Sequence, residues 1–201
     1  MYRIRFHGRG GQGMKTASRI LGTAFFLEGY EIQDAPRDGA ERRGAPIFAY
    51  VRADEQPIFE RGIITRPDLV VVADDSLVPV PAAGVLTGVD HHTVLLINSA
   101  QTADTWQHRL NLGKRIITLP EETTDRYELI FIGATCTGAA ALLLGVIKRA
   151  SLEQAIEQEL ADLSDAVIEK NLSRALLAFD SMQRDQACVQ PTKDAGASAY
   201  D

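Results

Sequence analysis

Tyr2-Arg3-Ile4-Arg5-Phe6-His7-Gly8-Arg9-Gly10-Gly11-Gln12-Gly13-Met14-Lys15-Thr16 is the stretch that decides how the chain folds. Tyr2 to His7 alternate in the manner of a strand, and from Met14 to Glu28 the apolar residues recur at helical spacing. Between them lies a glycine loop. Glycines let the backbone turn tightly, and the N–H groups exposed at a helix N-terminus favour a phosphate or a carboxylate. The plain alternative is that these glycines only let the helix pack close to the sheet.

Outward from this unit, Gly29 closes the helix and Tyr30 to Gln33 reads as a second short strand before the loop Asp34 to Gly44. Pro46 to Arg52 and Pro57 to Phe59 read as two strands joined by the polar turn Ala53-Asp54-Glu55-Gln56. Leu69 to Ala73 is a continuous apolar run, the signature of a strand buried on both faces, and Thr93 to Asn98 and Arg115 to Leu119 repeat it around a short helix at Ala103 to Leu110. Strands alternating with helices predict an α/β fold, a Rossmann-like, mostly parallel sheet with flanking helices. After Glu128 the chain becomes helical, with a small-residue helix at Ile132 to Ala150, a second at Leu152 to Leu163 and a third at Asp165 to Met182. Residues 1–182 are thus expected to form one α/β domain with a helical C-terminal part. Gln183 to Asp201 lack apolar periodicity and are expected to be a mobile tail or a partner-binding arm.

Composition narrows the function. The 201 residues carry 27 acidic and 21 basic side chains, a net charge of −6, which is the wrong sign for a protein that coats nucleic acid. Any anion site must be local. The longest small and apolar run, Ala134 to Ile147, falls short of the roughly 20 residues a membrane span needs, so a cytoplasmic protein without a span is expected. Cys136 and Cys188 suit neither a disulfide framework nor a metal site, and an iron–sulfur cluster wants about four thiolates. No Ser/His/Asp grouping or carboxylate pair stands out, so no catalytic or metal-binding residue is assigned. His91 and His92 are adjacent and read as surface residues, His7 as a packed residue at the end of the first strand, and Cys136 as an inert buried thiol.

Gly8-x-Gly10-x-x-Gly13 also satisfies the dinucleotide fingerprint, with Asp34 lying 21 residues beyond Gly13, near where an acidic residue would take a ribose hydroxyl. A stand-alone NAD-binding enzyme or sensor is therefore the alternative reading. A nucleoside triphosphatase is ruled out because Met14 separates Lys15 from the last glycine. Asp74 and Asp75 read as a strand-end pair that caps the next segment. Glu41-Arg42-Arg43-Gly44-Ala45-Pro46 concentrates further chemistry, since arginine grips phosphate with a planar fork and Glu41 could orient one guanidinium. With Arg37 in the same loop and Arg9 in the glycine loop, two loops would gather positive charge at one sheet edge if their strands are neighbours.

The run Arg5 to Gly13, the block Glu41 to Pro46 and the strand Leu69 to Asp74 after Arg66-Pro67-Asp68 together resemble the gamma subunit, or gamma domain, of 2-oxoacid:acceptor oxidoreductases of the pyruvate:ferredoxin type. The resemblance runs in order over roughly residues 3–180 and includes the small-residue segment around Gly133 to Gly145. It implies a subunit of a complex that decarboxylates a 2-oxoacid on thiamine diphosphate with Mg, passes electrons through [4Fe-4S] clusters to an acceptor such as ferredoxin, and transfers the acyl group to coenzyme A. It further implies alpha, beta and ferredoxin-like delta subunits as partners, which carry the thiamine diphosphate, Mg and clusters. The gamma chain would cover the active site and bind coenzyme A through Gly8, Arg9, Gly10, Gly11, Gln12, Gly13, Arg42 and Arg43, with Glu41 orienting.

Overall fold

A computed structural model describes residues 1–36, 44–111, 115–119 and 129–192. Six strands form one mixed sheet: β1 (Tyr2–Arg9), β2 (Glu31–Pro36), β3 (Pro46–Asp54), β4 (Leu69–Val72), β5 (Val94–Asn98) and β6 (Ile116–Leu119), in the order β2-β3-β1-β4-β5-β6. β1, β4, β5 and β6 run parallel. β4 and β5 have the continuous apolar runs of strands buried on both faces, whereas β1 alternates apolar with basic residues. β3 instead pairs antiparallel with both β1 and β2. The sheet is therefore parallel over four strands and antiparallel at one edge.

The two faces of this sheet differ. Ile4 and Phe6 of β1 join Leu69, Val71 and Leu96 in the main core under the helices α1 (Met14–Leu27), α3 (Ile132–Leu144), α4 (Arg149–Glu159) and α5 (Asp165–Ser181). On the opposite face, Val70, Val72, Leu95 and Ile97 pack under α2 (Ala103–Leu110) and the short turns of residues 75–83, with Trp106 as the bulkiest cover. On that same face the β1 and β3 end carries Arg3, Arg5, His7 and Arg52, all buried.

Small residues in α3 answer to close approach. A Cβ on Gly138 would lie 1.9 Å from the carbonyl oxygen of Ala175 in α5, and one on Gly133 would lie 3.0 Å from the carbonyl oxygen of Gly13. Thr137 hides its hydroxyl by donating to Gly133 O within its own helix. Cys136 is fully buried and its thiol is pushed up to about 12, because an apolar surround disfavours the thiolate. The thiol is buried, as expected.

Four expectations change. The helix expected at Ile132 to Ala150 ends at Leu144, where Gly145 turns left-handed (φ 73°), and α4 then starts afresh at Arg149. Glu28, at the end of α1, sets that restart by accepting from the Lys148 backbone N–H (2.9 Å) and the Ser151 hydroxyl (2.6 Å). Asp34, expected in a loop, lies within β2, which extends to Pro36. Pro57 to Phe59 form no strand, and β3 absorbs Ala53 and Asp54 from the expected turn. Residues 183–192 of the expected tail are packed rather than loose. Ala187 and Val189 donate backbone hydrogen bonds to Leu142 O and Leu143 O, and Thr192 reaches the buried carboxylate of Asp68. Main-chain pairing of this kind leaves no apolar period in the sequence. Among the described residues no helix is long and apolar enough to cross a membrane.

Candidate functional site

The carboxyl ends of the parallel strands define the site's location. From β1 the chain passes through α1 to the strands on one side, while β4 lies on the other, so the end of β1 is the point where the connections diverge. Open α/β sheets bind their ligands in the crevice at such a point.

β1 reaches further into the glycine stretch than its alternation suggests, since Gly8 and Arg9 still pair with Ile47 and Pro46. Gly8 is small because the Met14 side chain fills the space where its Cβ would be, with Cγ only 2.6 Å away. The turn proper is Gly10 to Gly13. Its left-handed positions are Gly11 (φ 99°) and Gly13 (φ 71°), the latter being the residue that precedes α1. Gly10 is absent from the positive-φ positions and donates its N–H to Ala45 O (2.9 Å). Gln12 closes the turn twice, its side-chain oxygen accepting from Arg9 N–H (2.7 Å) and its own N–H donating to Arg9 O (3.0 Å). The amides of Gly11 and Gly13 have no hydrogen-bond partner among the described residues. Gly11 faces open space. The glycines thus serve both readings set out above: Gly8 and Gly133 permit packing, whereas Gly11 and Gly13 leave amides uncommitted at a helix N-terminus.

Arg9 is anchored on three sides. Its guanidinium donates to Asp74 Oδ2 (2.7 Å), to Gly44 O (3.0 Å) and to the Ser76 hydroxyl (2.8 Å). These bonds span the crevice from β1 to the end of β4. Asp74 also accepts from Ser76 N–H, so it caps the following turn, as expected of a strand-end acid. Asp75 accepts from the Ser99 hydroxyl (2.5 Å), which in turn receives Trp106 Nε1–H (3.1 Å). Gly44 belongs to the block Glu41 to Pro46 that the sequence singles out, whereas Ser76 and Ser99 do not stand out in it. The signal for these two serines is only that each follows a strand end.

Arg37, Glu41, Arg42 and Arg43 lie outside the described residues. The chain that follows them does not: Gly44 donates to Gly10 O (3.3 Å) and begins the approach to β3. β1 and β3 are neighbours, so the end of one loop and the start of the other meet at the same sheet edge.

Two expectations resolve against a ligand role. His7 is buried, its Nδ1 bonds to Ala83 O (3.1 Å), and burial with the nearby Arg5 charge lowers its pKa to about 3. It is a neutral packed histidine, as expected. Asp34 sits on β2, which β3 separates from β1, and its carboxyl is shifted upward by burial. A ribose held at the glycine loop would lie a full strand away, so the dinucleotide geometry is not present.

The sequence profile of the pyruvate ferredoxin/flavodoxin oxidoreductase family matches residues 3–181. The chain belongs to this family. It is 38% identical over 186 residues to the protein named "Pyruvate/ketoisovalerate oxidoreductases common subunit gamma" of Pyrococcus abyssi, covering 91% of this chain and 98% of that one. The crystal structure of the pyruvate oxidoreductase subunit PORC of Thermotoga maritima superposes with a TM-score of 0.71 at 27% identity, covering 89% of this chain and 95% of that one. A 2-oxoglutarate:ferredoxin oxidoreductase of Magnetococcus marinus, solved with 2-oxoglutarate, coenzyme A and succinyl-CoA bound, shares the fold with a TM-score of 0.66 at 17% identity. It covers 96% of this chain, which spans 32% of that longer one. The pyruvate ferredoxin/flavodoxin oxidoreductase domain here is thus the gamma subunit of a 2-oxoacid:ferredoxin oxidoreductase, one component of a multi-subunit enzyme.

Proposed function

We propose that this gamma subunit binds coenzyme A at the carboxyl edge of its sheet and covers the thiamine diphosphate site formed by its partner subunits in the cytoplasm. The observation that carries the reading is the pair of uncommitted amides at Gly11 and Gly13, at the N-terminus of α1, beside Gly44, which directly follows Arg42 and Arg43. Coenzyme A brings phosphates to such a place, and its thiol accepts the acyl group produced on the thiamine cofactor.

In this reading Gly8, Gly10 and Gln12 shape the loop, Gly11 and Gly13 donate to a phosphate, and Arg9 holds the crevice open at a fixed width through Asp74 and Gly44 O. Arg42 and Arg43 supply the charge, with Glu41 orienting one of them. Thiamine diphosphate, Mg and [4Fe-4S] clusters belong to the alpha, beta and ferredoxin-like delta partners, which deliver electrons to an acceptor such as ferredoxin. The name of the Pyrococcus relative makes it common to pyruvate and ketoisovalerate enzymes. A chain shared in that way fits the handling of coenzyme A, which both reactions use, better than the selection of an oxoacid.

A charge-assisted contact is worth about 1.5–3 kcal/mol, so losing one should weaken coenzyme A by roughly tenfold to a hundredfold. The test is coenzyme A affinity and single-turnover oxoacid oxidation in the reconstituted complex carrying Arg42→Ala or Arg43→Ala. Weakened coenzyme A with near-normal oxoacid oxidation supports the reading. Equal loss of both would assign the arginines to assembly, and no loss would return them to the surface.

A further inference from the structure

At the opposite end of the sheet from the glycine loop, the connection from β3 to β4 is fixed in place by buried arginines. Residues 57–66 contain no helix or strand, yet they are held at four points. Arg3 donates to both carboxylate oxygens of Glu60 (2.6 and 3.3 Å), and Arg52 Nε donates to the same carboxylate (3.1 Å). Arg52 also donates to Gly62 O (3.0 Å), Arg5 to Ile64 O (3.4 Å), and the Gln33 side chain to Glu60 O (3.1 Å). A second donor of Arg5 extends the tie to Val85 O (2.8 Å).

This anchoring holds two large apolar side chains in water. Phe59 is 85% exposed and Ile63 is 56% exposed, on either side of Glu60. Burial of so many guanidinium groups is costly unless they are paired, and here the pairing is directed at the loop itself. A rigid loop that displays an aromatic side chain loses little conformational freedom on binding, and such side chains dominate interface energies. The electrostatics name the complement. Arg61 and Arg66 are exposed and have no partner among the described residues, whereas Glu60, the one acid in residues 57–66, is taken up by Arg3 and Arg52. The chain as a whole is acidic, so this loop is a local positive projection with an apolar tip.

We propose that residues 57–66 are a preformed docking loop through which this chain attaches to another subunit of its oxidoreductase complex, Phe59 and Ile63 entering an apolar socket rimmed by carboxylates. It rests on the gamma-subunit identity and not on the coenzyme A reading, because the loop lies at the far end of β1 from the glycine turn.

The test uses the complex reassembled from its separately purified subunits. Phe59→Asp with Ile63→Asp should leave the chain's thermal midpoint nearly unchanged, because both side chains already face water, and should weaken assembly tenfold or more. Glu60→Gln, which loosens the loop but keeps both apolar side chains, should weaken assembly to a smaller extent. A photo-crosslinking residue at position 59 should give an adduct with a partner subunit. Undiminished assembly of the double variant, or adducts only to a second copy of this chain, would overturn the proposal. Failure of the coenzyme A experiment with Arg42→Ala would leave this result untouched.

Discussion

Arg5 and Phe6 are adjacent in β1 and both are buried, yet they point into different kinds of interior. Phe6 enters a core of aliphatic side chains under four helices. Arg5 enters a layer made of loop carbonyls, His7 and aromatic rings, and one of its own atoms, Nε, is buried without a partner. The helical side therefore draws its stability from burial, which is non-directional and additive in area. The loop side trades that gain for position: directional bonds fix where residues 57–66 and 81–85 lie. At β1, burial holds the helical face together while the arginine end of the opposite face places surface loops; the rest of that opposite face has its own apolar cluster around Trp106.

The largest effect should come from breaking the helical face. Phe6→Ala removes a fully buried ring from the main core and should destabilise the domain by about 3–5 kcal/mol. The measurement is the urea midpoint of the purified chain, with hydrogen exchange slowed less across α1 and α3 alike. A loss under about 1 kcal/mol would mean that the helices do not depend on this face.

His7 sharpens the comparison through pH. Its pKa falls from the ordinary value of 6.5 to about 3 in the fold, so between these values the unfolded chain takes up a proton that the folded chain refuses. Stability must then decrease as pH falls through this window, at up to about 1.4 kcal/mol per pH unit. Between pH 7 and pH 5 the loss should be about 2 kcal/mol. His7→Gln, whatever its absolute stability, should flatten that dependence. Identical pH slopes for the two proteins would show that the folded chain protonates His7 and that the loop face tolerates a new charge.

How far these two faces could be read in advance differs in an instructive way. The unit β1, glycine turn and α1, the bounds of α2, and the tight small-residue packing of α3 follow from local patterns, because alternation, helical spacing and the absence of bulk are written residue by residue. The arginine face was written there too, as Arg3, Arg5 and His7 on alternate positions, but alternation with polar residues ordinarily marks a solvated face. Only the distant Glu60, Gly62, Ile64 and Val85 turn it into an interior. The antiparallel placement of β3 and the return of residues 187–192 to α3 are likewise set by main-chain pairing across the chain, which leaves no side-chain signature. At the candidate site, the glycine run was legible as a turn. Which glycines adopt positive φ was not, since this depends on Ala45 capturing the amide of Gly10.

Arg5→Met tests whether the loop face contributes position rather than stability. Burial lowers the pKa of the guanidinium, whose hydrogen-bond partners among the described residues are the carbonyls of Ile64 and Val85 and no carboxylate, and Nε stays bare. Replacing it with an apolar side chain of similar reach removes that desolvation cost while leaving Ile64 O and Val85 O without their donor. The two terms oppose, and the net change should be about 1 kcal/mol or less, far below that for Phe6→Ala at the next position. Amide exchange in residues 60–66 should nevertheless quicken. A loss above about 3 kcal/mol with no local change in exchange would make Arg5 a core residue in the same sense as Phe6.

The smallest effect belongs to Glu60, and its sign is fixed by its partners. Hydrogen bonds from Arg3, followed by burial acting in the other direction and then the Arg3 charge, leave its carboxyl below the ordinary carboxylate range. A depressed acid stabilises the fold fully above its unfolded pKa, and that contribution is lost as pH falls through the lower, folded value. At neutral pH the interaction is therefore complete, and acidification below the usual carboxylate range should release the loop. Because the Glu60 side chain is 41% exposed, solvent screens the pair, and Glu60→Gln should cost only about 0–1 kcal/mol of global stability. The change should instead be local. Fluorescence anisotropy of a probe at position 59 should drop in acid for the natural chain and be low at every pH for the Gln variant. A probe equally immobile in both proteins at neutral pH would show that Gly62 O and Ile64 O suffice to hold the loop, and that the carboxylate between the two arginines serves only to balance their charge.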